Sequence, residues 1–364
     1  MVKLSLVQLS ESSRDLWNDY VSANPHGYVY HLWEWGDVLQ RTYNLRRWCL
    51  AVKEDQHIVG VLPIFCIRGL FFADKLVSLP FCEYGGPLLT DHLDQSMAEN
   101  VLMVLMKNVN ALAEKLKVGY VEFRHPQTSF SNFFSSSGFR VLQRYVTFRL
   151  DLTAGESRIW ESFDGLAKHR TRARLERAIR IGTEVKEVDN DSLTHYYALY
   201  LRTQKRHGSP PHSYAFFKNL YDGFKAKGLL RMFLATSEGK PIAGITVFCF
   251  NGILYCWNNV LDRNYARWHP TDFLLWHVIR WGVKNKFRII DLGRTRPEDA
   301  GVYYFKSRWG GQKISLEDYV FLYRNAEIPD PLQRKYVFLS RLWSLLPQSL
   351  ACKVGPYLTS KLGL

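Results

Sequence analysis

The chain has 364 residues, 47% of them apolar and 15% aromatic, and a formal net charge of +14. That composition supplies cores for two domains of about 150 to 180 residues each and excludes a disordered or fibrous chain. The excess of cations favours acidic partners, whether RNA, nucleotide phosphates or anionic lipid head groups, without choosing among them.

Residues 1–11 alternate like a strand. Residues 12–23 and 31–42 carry helical spacing of Leu, Trp, Tyr and Val, separated by the turn-rich Asn24-Pro-His-Gly27. Strand runs follow at 48–52, 58–67 and 75–80, then a long helix at 97–116 and a strand at 119–124. A strand at 145–152 closes this first half. The second half opens with a basic helix over 160–181, followed by a strand at 183–188, helices at 194–207 and 214–227, and strands at 230–236, 241–250 and 253–260. A helix at 271–286, a strand at 287–292, a short helix at 301–309 and a strand at 315–323 complete it. Apart from the added basic helix, the two halves share one order, which predicts a pseudo-duplication.

From residue 329 prolines recur at 329, 331, 347 and 356, around an amphipathic stretch at 334–346. This tail is expected to dock on the body, with contact to a membrane surface as the alternative. The six cysteines, at 49, 66, 82, 249, 256 and 352, show no C-x-x-C spacing, which predicts buried free thiols in a reducing cytoplasm. No signal peptide is read at the amino terminus, and no apolar run reaches the roughly 18 residues that span a bilayer. A cytoplasmic location is expected, with membrane association left to the tail.

Chemistry is expected where the strand at 287–292 stops at Gly293, because ligands of α/β sheets collect beyond the carboxyl ends of strands. Asp291, Arg294 and Thr295 would project there, and the helix after them would return Lys306 and Arg308 to the same place. The same residues would also serve as a structural Asp–Arg pair. The basic helix carries cations at 168, 170, 172, 174, 177 and 180 that wrap most of the way around it, a pattern common on solvated faces. In the first half, Glu83-Tyr84-Gly85-Gly86 follows a strand and Arg124 ends the next. Gly85 and Gly86 would let backbone approach a ligand or simply form a tight turn, and Tyr84 would stack or hydrogen-bond. His31, His269 and His277 lack metal-ligand spacing, so no metal is expected.

The order of a strand, Asp291-Leu-Gly-Arg-Thr295, then Gly301-Val-Tyr-Tyr-Phe-Lys306, Trp309-Gly310 and a last strand resembles the closing half of FemAB-type aminoacyl or acyl transferases. Tyr30-His-Leu-Trp-Glu-Trp-Gly36, Leu79-Pro-Phe-Cys-Glu-Tyr-Gly-Gly-Pro87 and the basic run 170–182 resemble other family segments in the same order. The resemblance covers roughly residues 1–325 and is nearest to FemAB-like proteins of exosortase and exopolysaccharide systems. It implies an α/β class of mixed sheets in two tandem acetyltransferase-like (GNAT) domains, 1–152 and 153–325, with the tail at 326–364 and the active site in the second domain.

For chemistry, the resemblance implies amide formation: an aminoacyl or acyl group moved onto an amine of a cell-envelope precursor, peptidoglycan or exopolysaccharide related. Aminoacyl-tRNA is the implied donor, and no permanently bound cofactor is implied. Lys306 would stabilise the oxyanion and Asp291 would hold or deprotonate the amine, with Arg294, Thr295, Tyr304 and Arg308 as substrate contacts. Arg172, matching an arginine of the family, and Lys168 would grip phosphate, although Ala173 and Leu175 replace the family's usual Asn and Ile. Tyr84, Gly85, Gly86 and Arg124 would contact substrate in the first domain. Two alternatives stay open: an acyl-coenzyme A-dependent N-acyltransferase of the same fold, and a non-catalytic RNA- or membrane-binding protein. Coenzyme A users of this fold carry a glycine-rich pyrophosphate loop, and residues 262–271 have no glycine there. The family's bridge-forming members often carry a two-helix arm, and no segment in 182–270 has the heptad length for it.

Overall fold

The computed structural model describes residues 3–70, 72–124, 128–162, 166–324, 326–329 and 333–363. In chain order the first elements are β1 (Leu4–Leu9), α1 (Arg14–Ala23), α2 (Trp33–Tyr43), β2 (Arg46–Glu54), β3 (His57–Ile67), β4 (Lys75–Ser78), β5 (Leu88–Leu89), α3 (Gln95–Leu116), β6 (Tyr120–Arg124), α4 (Ser131–Ser136) and β7 (Arg140–Asp151). Then come α5 (Gly155–Glu161), α6 (Leu166–Arg180), β8 (Glu184–Glu187), α7 (Leu193–His207), α8 (Tyr214–Phe224), β9 (Leu230–Ser237), β10 (Lys240–Phe250) and β11 (Ile253–Leu261). The chain ends with α9 (Pro270–Lys284), β12 (Ile289–Asp291), α10 (Ala300–Ser307), β13 (Gln312–Leu322), α11 (Arg334–Leu345) and α12 (Gln348–Leu362).

These elements form two compact units. One comprises Met1–Arg144, Glu317–Pro331 and Tyr357–Leu364, the other Tyr145–Leu316 and Leu332–Pro356. The strand order of the first is β1-β2-β3-β4-β6, with β5 beside β3, and that of the second is β12-β11-β10-β9-β8. In each, neighbours are antiparallel except for one parallel pair joined through a helix: β4 and β6 through α3, β11 and β12 through α9. Each is completed by a strand from a distant part of the chain. The carboxyl half of β13 lies antiparallel to β6, and β7 lies antiparallel to β12.

The elements follow from the side chains. Asp94 caps α3 by accepting a bond from the Met97 backbone N–H at 2.8 Å, and Val101, Leu102, Leu105, Met106 and Val109 form its buried face. That face packs on Leu50, Val52, Leu62 and Ile64 of the sheet. In the second unit, Leu274, Leu275, Val278 and Ile279 of α9 pack on Ala243, Ile245, Leu254 and Ile290. Burial of such side chains contributes roughly 1.5–3 kcal/mol each. Cys49, Cys66, Cys82, Cys249 and Cys256 are buried and Cys352 is half-buried, all as free thiols.

The expected basic helix over 160–181 is instead two helices, α5 ending at Glu161 and α6 beginning at Leu166. Asp164-Gly165, a turn-favouring dipeptide, stands in the sequence between them. Helix α12, which contains Pro356, and the short α4 and β5 were not anticipated either.

Gly311, just before β13, lies so close to β7 that a Cβ there would sit 2.9 Å from the carbonyl carbon and oxygen of Arg149. Backbone atoms in a sheet cannot yield as a side-chain tip can. Gly311→Ala is expected to cost about 1–3 kcal/mol in denaturant unfolding; an unchanged midpoint would show that β7 shifts freely there.

Candidate functional site

Three residues of β12 bring Asp291 to the strand end, fully buried. Its carboxylate accepts hydrogen bonds from Thr147 Oγ1 at 2.6 Å, Arg149 Nε at 2.7 Å and the Gly293 backbone N–H at 2.9 Å. Alternation along β7 puts Thr147 and Arg149 on the same face, so both reach one carboxylate. Asp291 therefore faces protein donors. A buried ion is tolerated only when its lone pairs are satisfied in this way.

Gly293 turns the chain at a φ of 77°, a conformation that a side chain disfavours. Thr295 then pairs with Val146, its N–H donating to the Val146 carbonyl at 2.8 Å. Arg294 lies with its guanidinium 4.5 Å from the ring centroid of Tyr145. Asp299 caps α10 by accepting from the Val302 N–H at 3.3 Å. One side of that helix carries Lys306 inward, where its Nζ donates to the Gly293 carbonyl at 2.9 Å and the Arg294 carbonyl at 3.1 Å. Asp291, Arg294, Thr295 and Lys306 thus converge on one turn, and the buried Lys306 ammonium grips the turn that the Asp291 carboxylate starts.

Beside this turn lies a group of cations. Tyr304 of α10 is exposed at 43%, with the Arg174 and Arg308 guanidinium groups each 5.5 Å from its ring centroid. Arg174 Nη2 donates toward the Tyr304 hydroxyl at 3.5 Å. Hydrogen bonding and charge from Arg174, with Arg170 and Arg308 also contributing, lower the phenol below its ordinary pKa. Arg308 is itself buried and paired with Asp272 in the first turn of α9. His269, whose pKa is lowered by burial despite Asp272, feels Arg174, Arg177 and Arg308 as well. Arg172 points elsewhere: it donates to the Trp160 carbonyl at 2.9 Å and stacks on that ring. Lys168 falls among the residues whose side chains are outside the described set. The reading of the sequence missed Thr147, Arg149, Arg174 and Asp272 as site residues. Only Arg174 left a signal, as one cation of the run on α6.

The loop before α9 is a 3₁₀ turn over Arg263–Trp268. Five N–H groups here are engaged internally: Asn264 donates to Asp262 Oδ1, Tyr265 to the Asp262 carbonyl, His269 to the Ala266 carbonyl, and Asp272 and Phe273 to the His269 carbonyl. A pyrophosphate that needs those donors does not fit this loop.

In the first unit, Tyr84 is buried and stacked on Tyr28 with centroids 4.7 Å apart. The Gly85 N–H donates to the Arg124 carbonyl at 2.7 Å, and the Gly86 carbonyl lies 3.2 Å from His31 Nε2. Arg124 is buried, donating to Glu122 at 2.9 Å and to the carbonyls of Cys82 and Gly363. Lys75 donates to the same Glu122 at 2.9 Å. Burial pushes the Glu122 carboxyl up, but Lys75 and Arg124 outweigh it and hold it at about 2. These expected substrate contacts are engaged within the protein. Among the described residues, no group of three or more His, Cys, Asp or Glu side chains could hold a metal ion, and no helix is long and apolar enough to cross a membrane.

The acetyltransferase (GNAT) domain family model matches residues 168–307. A lipid II:glycine glycyltransferase of Staphylococcus haemolyticus is 26% identical over 239 residues, covering 61% of this chain and 54% of that one. The chain thus spans about half the length of such relatives. The crystal structure of FemX superposes with a TM-score of 0.68 at 13% identity, covering 88% of this chain and 97% of that one. A tandem GNAT protein of the clavulanic acid biosynthesis pathway gives 0.56 at 11% identity, over 89% and 100%. The fold is the tandem GNAT fold expected from the sequence, a mixed α/β class.

Two outcomes test this geometry. Asp291→Asn keeps the shape but gives Arg149 a neutral partner and turns one acceptor into a donor; a stability loss of about 3–5 kcal/mol is expected in chemical denaturation. A loss within error would mean that the carboxylate is dispensable. His31, whose Nδ1 accepts from the Tyr28 N–H at 3.2 Å, is held neutral by burial with its pKa lowered to about 4. The unfolded chain protonates it from about 6.5 downward, so its contribution is whole above that pH and declines as pH falls toward 4. Wild type should lose roughly 3 kcal/mol across this window through this group. The corresponding slope should be absent in His31→Gln.

Proposed function

We propose that this chain, a FemAB-like protein of the tandem GNAT fold, is an amide-forming transferase that moves an aminoacyl group onto an amine of a cell-envelope precursor. The observation that carries the reading is the buried Lys306 ammonium seated on the turn that leaves β12, within residues 168–307, which match the GNAT model. The names of the glycyltransferase relatives supply the class of acceptor.

In the proposed step the neutral amine attacks the carbonyl carbon of an activated ester. The C–N bond forms, the C–O bond to the donor breaks, and the proton lost by the amine passes to the departing oxygen through solvent. Negative charge develops on the carbonyl oxygen between these events. Lys306 stabilises it, and a charge placed in advance in a water-poor turn does so more strongly than one that must reorganise. Asp291 acts as a positioning residue, fixing Arg149, Thr147 and the turn, and Thr295 holds the turn to β7. Tyr304, Arg294 and Arg308 line the approach of substrate.

For the donor we propose aminoacyl-tRNA rather than an acyl-coenzyme A thioester. The engaged N–H groups of Asn264, Tyr265, His269, Asp272 and Phe273 support this, because a pyrophosphate that needs them lacks its usual seat. The arginines of α6 around Tyr304 and the net charge of +14 favour a polyanion. On this reading Arg174, rather than Arg172, meets its phosphates.

Label transfer into an envelope-precursor extract, from charged tRNA and from acetyl-coenzyme A in parallel, tests the reading. Transfer from charged tRNA alone, abolished by ribonuclease, is expected; transfer from the thioester that survives ribonuclease would replace it with the coenzyme A reading. Lys306→Ala should lower turnover on the order of one hundredfold or more. Arg174→Ala should raise KM for the charged tRNA and flatten the salt dependence, with kcat little changed. Equal rates for Lys306→Ala and wild type would remove Lys306 from the chemistry.

A further inference from the structure

The sequence from Gln333 to Leu364 contains five cations, Arg334, Lys335, Arg341, Lys353 and Lys361, and no Asp or Glu. Helix α11 sits on α7 through its inner side. Trp343 is buried, and Ser340 Oγ donates to the His207 carbonyl at 3.4 Å. Ser340 is so close that a Cβ on Gly208 would meet its Oγ at 2.2 Å. The outer side is apolar and open: Phe338 is 60% exposed, Leu342 45% and Leu345 78%. Positions 338, 342 and 345 follow the i, i+4, i+7 spacing of one helical face. Arg334 and Arg341, both exposed, fall on that same face, four residues before Phe338 and four before Leu345. In α12 the inner Ala351 is buried and Gly355 lies against Pro211, whereas Leu350 and Val354 are exposed, with Lys353 beside them.

We infer that the outer face of α11, continued by Leu350, Lys353 and Val354 of α12, lies on the surface of an anionic bilayer. A helix that interleaves large apolar side chains with arginines sinks its apolar face into the head-group boundary, while the guanidinium groups reach lipid phosphates. The charge pattern selects this occupant. A second copy of the chain would set cations against cations, whereas anionic lipid complements a segment free of acidic residues. Contact is in-plane, since neither helix is long and apolar enough to cross. The inference needs neither donor nor acceptor, so it stands or falls apart from the proposed reaction.

The full chain is tested by co-sedimentation with phosphatidylcholine vesicles, with and without phosphatidylglycerol, beside Phe338→Glu/Leu345→Glu and Arg341→Gln. These side chains point outward, so circular dichroism should match wild type. Wild type is expected to bind only the phosphatidylglycerol vesicles and to be released by salt. The double variant should bind at least about tenfold more weakly, and Arg341→Gln should fall between the two. Equal binding by wild type and the double variant overturns the inference, as does no binding by wild type. It is also overturned if wild type forms a dimer that the double variant loses without either binding lipid, because the face is then a self-interface.

Discussion

The second unit depends on how one carboxylate is held. Asp291 lies at the end of a three-residue strand with no exposed surface, and such a charge persists in a protein only if its environment replaces water donor for donor. Two donors come from β7 and one from the turn that Asp291 itself begins. Strand pairing, the direction of the turn and the charge balance of the site are therefore one arrangement. Lys306 closes it from the other side by taking the two carbonyls that the turn exposes, so α10 is fixed to the strand end by a buried cation. Moving any one of these groups leaves another buried and unsatisfied, which makes the turn rigid enough to present Arg294 and Thr295 in fixed places.

The two units have the same order of elements, and both bury internally satisfied charges, but the second adds cations at an exposed ring. In the first, Lys75, Glu122, Arg124 and the Gly363 carbonyl form a closed network, and the depressed pKa of Glu122 reflects how strongly its cations hold it ionised. Tyr84, Gly85 and Gly86 are likewise turned to internal partners. In the second, Arg170 and Arg174 stand at the exposed phenol of Tyr304, whose own pKa they lower, while Arg308 beside them is paired with Asp272. A cation whose partners are buried contributes to the fold. Cations gathered at an exposed aromatic ring set a positive potential that a ligand can feel.

Much of the fold was legible because periodicity is a local property. Long runs such as β3, β10 and α3 announce themselves by apolar alternation or helical spacing, and the repeated order of the halves follows from them. The two-residue β5 is too short to carry a period, and α5 and α6 read as one helix because only a short stretch separates them. At the site, Asp291, Arg294, Thr295 and Lys306 were legible from a strand ending in charge and glycine. Thr147 and Arg149 were not, because they meet Asp291 across more than 140 residues of sequence and only sheet pairing joins them. The choice between Arg172 and Arg174 turned on helical phase. Residues two apart point to opposite sides of a helix, so one meets Trp160 and the other Tyr304. Neither direction can be read from composition.

The glycine-free loop before α9 bears on the proposed donor. Pyrophosphate binding at a helix start needs backbone N–H groups that nothing else uses. Here Asp262 caps one side of the 3₁₀ turn, and the His269 carbonyl takes two N–H groups of the first turn of α9. Asp272, placed in that same turn, adds negative charge where a phosphate would need it absent, and Arg308 is drawn in to balance it. The cations that stand around an exposed ring are those of α6 beside Tyr304, in place of free backbone N–H groups. Side-chain guanidinium groups reach farther than backbone amides and tolerate more variation in phosphate position. On the proposed reading, that exchange suits a large polyanionic donor held along a helix face, with its ester carried to Lys306, better than a compact nucleotide seated in a loop.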